Sequence, residues 1–116
     1  MNMKNNKLYP ELTKEISEKR TALAPEISEA WRSFSKTVFK EGALSEKTKQ
    51  LIAIAVAHVT QCPYCIHGHT AQAMRKGASE QEIMEAIWVA AEMRAGGSYA
   101  HSALAIVEMG SKEKAI

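Results

Sequence analysis

Cysteine is scarce in this sequence, with two among 116 residues, and so are proline, with three, and aromatic side chains, at 6%. Both cysteines lie in one four-residue stretch, Cys62 to Cys65, so they cannot staple a fold. A bridge across two intervening residues closes almost no loop and removes little entropy from the unfolded chain. The chain also lacks a long apolar run: the longest, Leu51 to Ala57, falls far short of the roughly 20 residues a membrane helix requires. It lacks charge of one sign, with 15 basic and 13 acidic side chains spread along its length and a net charge of +2. Without a basic block, or basic residues interleaved with aromatics, no nucleic-acid partner is expected. The N-terminal MNMKNNKLYPELTKE has no apolar core of the kind a secretory signal carries, so a cytoplasmic location is expected. No internal repeat or low-complexity segment is present, and no alternating run bounded by turn residues reads as a strand.

What is present is a globular composition, 46% hydrophobic and 24% charged, in a chain too short for two independent cores. The expectation is a compact all-α bundle of five to six helices spanning residues 13–109, between a loosely ordered tail over 1–12 and a solvated tail over 110–116. A first helix is predicted from Glu11 or Thr13 to Leu23, and a second from Pro25 to a point before Gly42. On the second, Ile27, Trp31, Phe34 and Val38 recur at helical spacing and predict a buried stripe. Ser45 is a suitable N-cap for a third, nearly apolar helix through Leu51, Ile52, Ile54, Ala55 and His58. So apolar a helix is expected either to be surrounded by the others or to meet another subunit. It must stop near Gln61, because Pro63 clashes inside a continuous helix but suits a fresh start; Cys62 then becomes the N-cap of a fourth helix ending at Gly77. Ser79 to Glu82 forms a capping box for a fifth helix to about Ala95, and the Gly96-Gly97 pair predicts a break before a last helix capped by Ser98.

The stretch TQCPYCIHGHT, Thr60 to Thr70, carries the chemistry. In a reducing compartment two neighbouring cysteines point to catalysis or metal binding. If Pro63 opens a helix, Cys65 lies in its first turn, where unpaired N–H groups and the helix dipole favour a thiolate, and Cys62 can close a disulfide with it. Steps of four, three and four residues place His58, Cys62, Cys65 and His69 on one helical face. His69, one turn beyond Cys65, can take its proton, and His58 could do the same for Cys62, whereas His67 points sideways and is expected to be exposed. Alternatives compete with this. The cysteines can pack as small apolar groups. Cys62, Cys65 and two histidines are the right ligand types for zinc, but ligands crowded on one helical turn converge poorly on a tetrahedral ion, so no metal is expected. His58 on an apolar helix can be a satisfied core histidine. Tyr99 and His101 could line the same pocket but suit packing better, as do Met74, Met84, Met93 and Met109, expected to fill core or subunit contacts. Glu80, Glu82 and Glu85 read as a solvated helix start.

The block from Leu44 to Gly97 resembles the carboxymuconolactone decarboxylase superfamily, in particular its alkylhydroperoxidase D-like branch. Cys62, Cys65, His69, Gly77 and the Ser79 capping box carry the resemblance, which covers nearly half the chain. It implies an all-α fold assembled into homotrimers or homohexamers, and thiol-based reduction of a small hydroperoxide or disulfide with no cofactor, reset by a dithiol protein or small thiol. It also implies that Cys65 attacks, Cys62 resolves and His69 relays the proton, although thiol chemistry alone lets either cysteine lead. Two positions depart from the family pattern: Gln50 stands where a Glu is common, and Tyr64 where a His often lies between the cysteines, which leaves His58 as the substitute in the relay. The competing functions are a decarboxylase-type lyase, for which no basic anchor lies near the motif in sequence, and a non-enzymatic zinc or redox-sensing module. CPYC also occurs in glutaredoxins, but there it follows a strand, and here an apolar helix precedes it.

Overall fold

The computed structural model of the chain describes residues 8–111. Most of the two expected tails lies outside the described residues. Among those residues the fold is all-α, with five helices: α1 Lys14–Leu23, α2 Pro25–Phe39, α3 Glu46–Thr60, α4 Pro63–Arg75 and α5 Glu80–Met109. Contacts within the chain divide it into two compact units, one up to Glu46 and one from Lys47.

In the first unit, Thr13 caps α1 by accepting from the Ile16 N–H at 3.2 Å. Ala24 alone separates α1 from α2, and Pro25 opens α2 where its missing N–H costs nothing. Arg32 on α2 ties back to the Thr21 hydroxyl of α1 at 3.3 Å and to Glu29 at 3.1 Å. Contrary to expectation, the stripe on α2 is not buried: Ile27, Trp31, Phe34 and Val38 are exposed, with Trp31 at 65% and its ring centroid 5.9 Å from that of Phe34. The reason is the partner. The other helix of this unit, α1, has the sequence KEISEKRTAL, too polar to offer a facing apolar surface, and neither helix buries a residue.

The second unit holds the core, where Ile54 of α3, Ala73 of α4, Ile83 of α5 and Ala78 from the turn between α4 and α5 meet, flanked by Leu51 and Ile87. The capping box forms as expected: the Glu82 N–H donates to Ser79 Oγ at 3.1 Å and the Ser79 N–H to Glu82 Oε1 at 2.9 Å. The same carboxylate accepts from Lys47 Nζ at 2.9 Å, fastening the start of α3 to the start of α5. Helix α3 buries Gln50, Ile54 and Ala57, while Ile52, Val56 and Val59 on its other side remain about half exposed. Met74, Met84, Met93 and Met109 are also exposed, so they do not fill the core of this chain.

The predicted break at Gly96-Gly97 does not occur. Helix α5 runs through both glycines for 30 residues, and Ser98 sits inside it. Unlike proline, glycine keeps its N–H and so costs only about 1 kcal/mol relative to alanine, which flanking helix formers such as Ala90, Ala91, Met93 and Ala95 offset. An added Cβ at Gly97 meets nothing within 4 Å, whereas at Gly96 it would come to 3.2 Å from Glu92 Oε1. Gly97→Ala is therefore expected to raise the unfolding free energy by about 0.5–1 kcal/mol in chemical denaturation. A loss of stability would show that another backbone packs against α5 at this point.

Candidate functional site

Two helix caps placed back to back build the site. Gln61 adopts φ 59°, making it the one non-glycine residue with positive φ among those described. This left-handed turn ends α3 and lets the Cys62 N–H donate to the Ala57 carbonyl at 3.2 Å, the six-to-one bond of a Schellman motif. Cys62 is then extended, at φ −99° and ψ 106°, and serves as N-cap of α4, with Pro63 in the first turn. The far end of α4 closes in the same way, with Gly77 at φ 93° and the Ala78 N–H bonded to the Ala73 carbonyl at 2.9 Å.

Cys62 Sγ accepts the Cys65 N–H at 3.2 Å, so sulfur occupies the place an oxygen fills in an ordinary N-cap. Both cysteines are free thiols and partly exposed. The Cys62 thiol is held below its ordinary pKa, first by the Cys65 thiol donating to it, then by the backbone N–H of Cys65 and that of Tyr64. The Cys65 thiol moves the other way: its hydrogen bond to Cys62 keeps the proton on it, and desolvation and the neighbouring negative sulfur add to that. These directions favour the charge on Cys62, whereas the first-turn position of Cys65 had pointed to the other sulfur. A first-turn residue points its N–H, not its sulfur, at the cap, and it is the capping atom that gathers the donors.

His69 lies one helical turn beyond Cys65, and its Nδ1 is 2.8 Å from Oε1 of Gln50 on α3. The imidazole is partly buried, and desolvation lowers its pKa. His58 instead bonds its Nδ1 to the Ile54 carbonyl at 2.8 Å, one turn back on its own helix. The reversal at Gln61 also takes His58 out of helical register with Cys62, Cys65 and His69, so the single continuous face expected from spacing is split. Gln50, expected to leave a gap in the relay, is the residue that meets His69. His67 is exposed, as are Tyr99 and His101. Among the described residues, no three His, Cys, Asp or Glu side chains are grouped so as to hold a metal ion.

The fold also brings up a cation that spacing gave no sign of. Arg94 on α5 donates to the Val59 carbonyl at 3.0 Å across 35 positions of sequence, neutralising the last turn of α3 just before the cysteines. No local pattern marks such a contact; only the packing of α5 on α3 creates it.

Residues 25–109 match the model of the carboxymuconolactone decarboxylase family, a span that takes in α2 to α5 and the whole site. The chain belongs to this family. It is 62% identical over 84 residues to uncharacterized protein 4 in the cox locus of Paracoccus denitrificans, across 71% of this chain and 76% of that one. A carboxymuconolactone decarboxylase family protein from Legionella pneumophila, solved in its apo form, is similar in structure at a TM-score of 0.66 and 35% identity, over 78% of this chain and 84% of that one. A Thermotoga maritima member of the family, described with a suggested role in antioxidative response, aligns at a TM-score of 0.52 and 25% identity, over 72% of this chain and 95% of that one.

Within this carboxymuconolactone decarboxylase family member the two thiols should separate by pH. Because only the thiolate alkylates, Cys62 is expected to react with iodoacetamide at lower pH than Cys65, read by peptide mass spectrometry. Cys65→Ala should move the Cys62 profile toward higher pH by removing the main donor to its sulfur, while Cys65→Ser, which keeps a donor, should move it less. Equal profiles for the two thiols in the wild type would contradict the assignment.

Proposed function

We propose that the protein is a thiol oxidoreductase that reduces small disulfides or hydroperoxides through Cys62 and Cys65. The observation that carries this reading is the N-cap sulfur: Cys62 Sγ accepts from the Cys65 N–H, with a protonated second thiol three residues on. For a disulfide substrate, the Cys62 thiolate attacks one sulfur, the substrate S–S bond breaks, and the first thiol leaves with its electron pair and takes up a proton. The product is a mixed disulfide. Cys65 then gives up its proton to His69 and attacks Cys62 Sγ, releasing the second thiol and leaving the Cys62–Cys65 disulfide. Two electrons pass from the protein to the substrate. An external dithiol, protein or small molecule, returns them. With a hydroperoxide, the same thiolate attacks the O–O bond, an alcohol leaves, and Cys65 displaces water from the sulfenic acid on Cys62.

Such chemistry suits a reducing compartment such as the cytoplasm, where the pair is reset. No helix among the described residues is long and apolar enough to cross a membrane. Assembly into homotrimers or homohexamers belongs to the same proposal and is supported by apolar side chains that the chain leaves exposed, among them Trp88, Val89, Met93 and Leu104 of α5. A lyase acting on a lactone acid, the reaction the family is named for, uses no thiol pair. The paired cysteines favour the redox reading over it.

The proposal is tested with a chromogenic aryl disulfide. Cys65→Ser should accumulate a stable mixed disulfide on Cys62, and Cys62→Ser should react with the reagent at least about tenfold more slowly, since it leaves only the higher-pKa thiol. Equal trapping rates would assign the lead to neither cysteine, and trapping only in Cys62→Ser would give it to Cys65.

A further inference from the structure

Arg94 on α5 reaches the last turn of α3, where its Nη1 donates to the Val59 carbonyl at 3.0 Å. Cys62 is bonded to the same turn, its N–H donating to the Ala57 carbonyl at 3.2 Å. Carbonyls two residues apart lie within one turn of helix, about 5.4 Å of rise, so the guanidinium and the backbone of the capping cysteine meet at one helix end. By itself that end repels an anion, because the last carbonyls of a helix carry the negative pole of its dipole. Arg94 covers one of them and brings a full positive charge.

Most of the guanidinium is left for a ligand. It has five N–H donors, and the contact with Val59 is the one hydrogen bond it makes among the described residues. No carboxylate among them pairs with it. One turn before and after Arg94 on α5 stand Ala90, Ala91, Gly97 and Ser98, which are uncharged and small. Glu92 lies along its own helix, with Oε1 3.2 Å from where a Cβ on Gly96 would stand. From Leu51 to Ser79, through the later turns of α3 and all of α4, there is no acidic residue, although the chain has 13. The Cys62 thiol owes its lowered pKa to Cys65 and to backbone N–H groups, so the charge of Arg94 is not spent on that sulfur.

We propose that Arg94 is a substrate anchor: its unused N–H fork holds a carboxylate carried by the disulfide that Cys62 attacks, so the substrates are anionic disulfides. The preference rests on the thiol chemistry proposed above and adds to it the charge of the substrate. A carboxylate fits because its two oxygens take parallel bonds from a guanidinium. With the carboxylate held, the Cys62 thiolate bonds to one substrate sulfur, the S–S bond breaks, and the other half leaves as a thiolate with the bonding pair.

The test compares two reagents on the reduced full-length protein: dithiobis(nitrobenzoate), an aryl disulfide with a carboxylate on each ring, and dithiodipyridine, which is uncharged. Each rate is divided by that of a neutral small thiol, N-acetylcysteine amide, with the same reagent at the same pH, which removes the intrinsic reactivity of the reagent. The wild type is expected to favour the anionic reagent by at least about threefold, and Arg94→Gln, which keeps a donor for Val59, to lower that ratio by about as much. Arg75→Gln removes the same charge from the far end of α4 and should leave the ratio where it is. A wild-type ratio near one, a ratio unchanged in Arg94→Gln, or an equal fall in Arg75→Gln overturns the proposal; the first needs no variant to fold. Both rates read the first attack alone. Failure of the treated protein to close a Cys62–Cys65 disulfide would refute the proposed function and leave the ratio standing.

Discussion

The second unit depends on a reversal made in the space of two residues. Helix α3 must end and α4 begin between Thr60 and Pro63, and the only slack is Gln61 and Cys62. Gln61 takes the left-handed conformation that glycine usually supplies, a state costing a non-glycine residue of order 1 kcal/mol. Strain of this kind persists where surrounding contacts over-determine it. Here they are the Cys62 N–H to Ala57 bond, the Arg94 clasp on Val59 and the core at Ile54 and Ala73. What the turn achieves is placement: it sets a sulfur atom where the first N–H groups of α4 converge.

From that placement the electrostatics divide the labour between two chemically identical side chains. Cys62 gathers donors, and its negative form is favoured; Cys65 supplies one of them and keeps its proton. A pair arranged in this way needs two different kinds of help. The first thiol is activated by the fold alone, through peptide groups that require no reorganisation. In the proposed reaction the second is deprotonated when its turn comes, which is work for a nearby base. His69, one turn away and in contact with Gln50 at 2.8 Å, is the residue we propose for that work.

The sequence made the ends of helices legible because a few residue types have stiff local rules. Pro25, Pro63, Gly77 and the Ser79–Glu82 box each marked a boundary that lies within a residue or two of the observed one. The weak rule was the glycine pair, since glycine permits a break without forcing one, and the helix formers around Gly96 and Gly97 carried α5 through. Periodicity identified the apolar stripe of α2 correctly as a stripe but not its environment, because a face can be apolar without having a partner in its own unit. At the site, spacing placed Cys62, Cys65 and His69 on one stretch of helix but gave no sign that His58 turns away from them. That Cys62 caps α4 was legible from Pro63, whereas the pairing of Gln50 with His69 is a consequence of α3 meeting α4, and the turn at Gln61 that breaks the helical register leaves no mark in a pattern count.

The central claim is that Cys62 and Cys65 exchange two electrons as a unit. It is tested most directly by a redox titration against dithiothreitol or glutathione buffers, with acid quenching, thiol labelling and intact-mass readout at each potential. The account predicts a single two-electron transition between a doubly labelled and an unlabelled monomeric chain, at a midpoint in the range of thiol-disulfide exchange proteins, about −270 to −120 mV, because the stabilised Cys62 thiolate favours the reduced form. Independent oxidation of the two thiols, or a midpoint below about −300 mV, where structural disulfides lie, would contradict it.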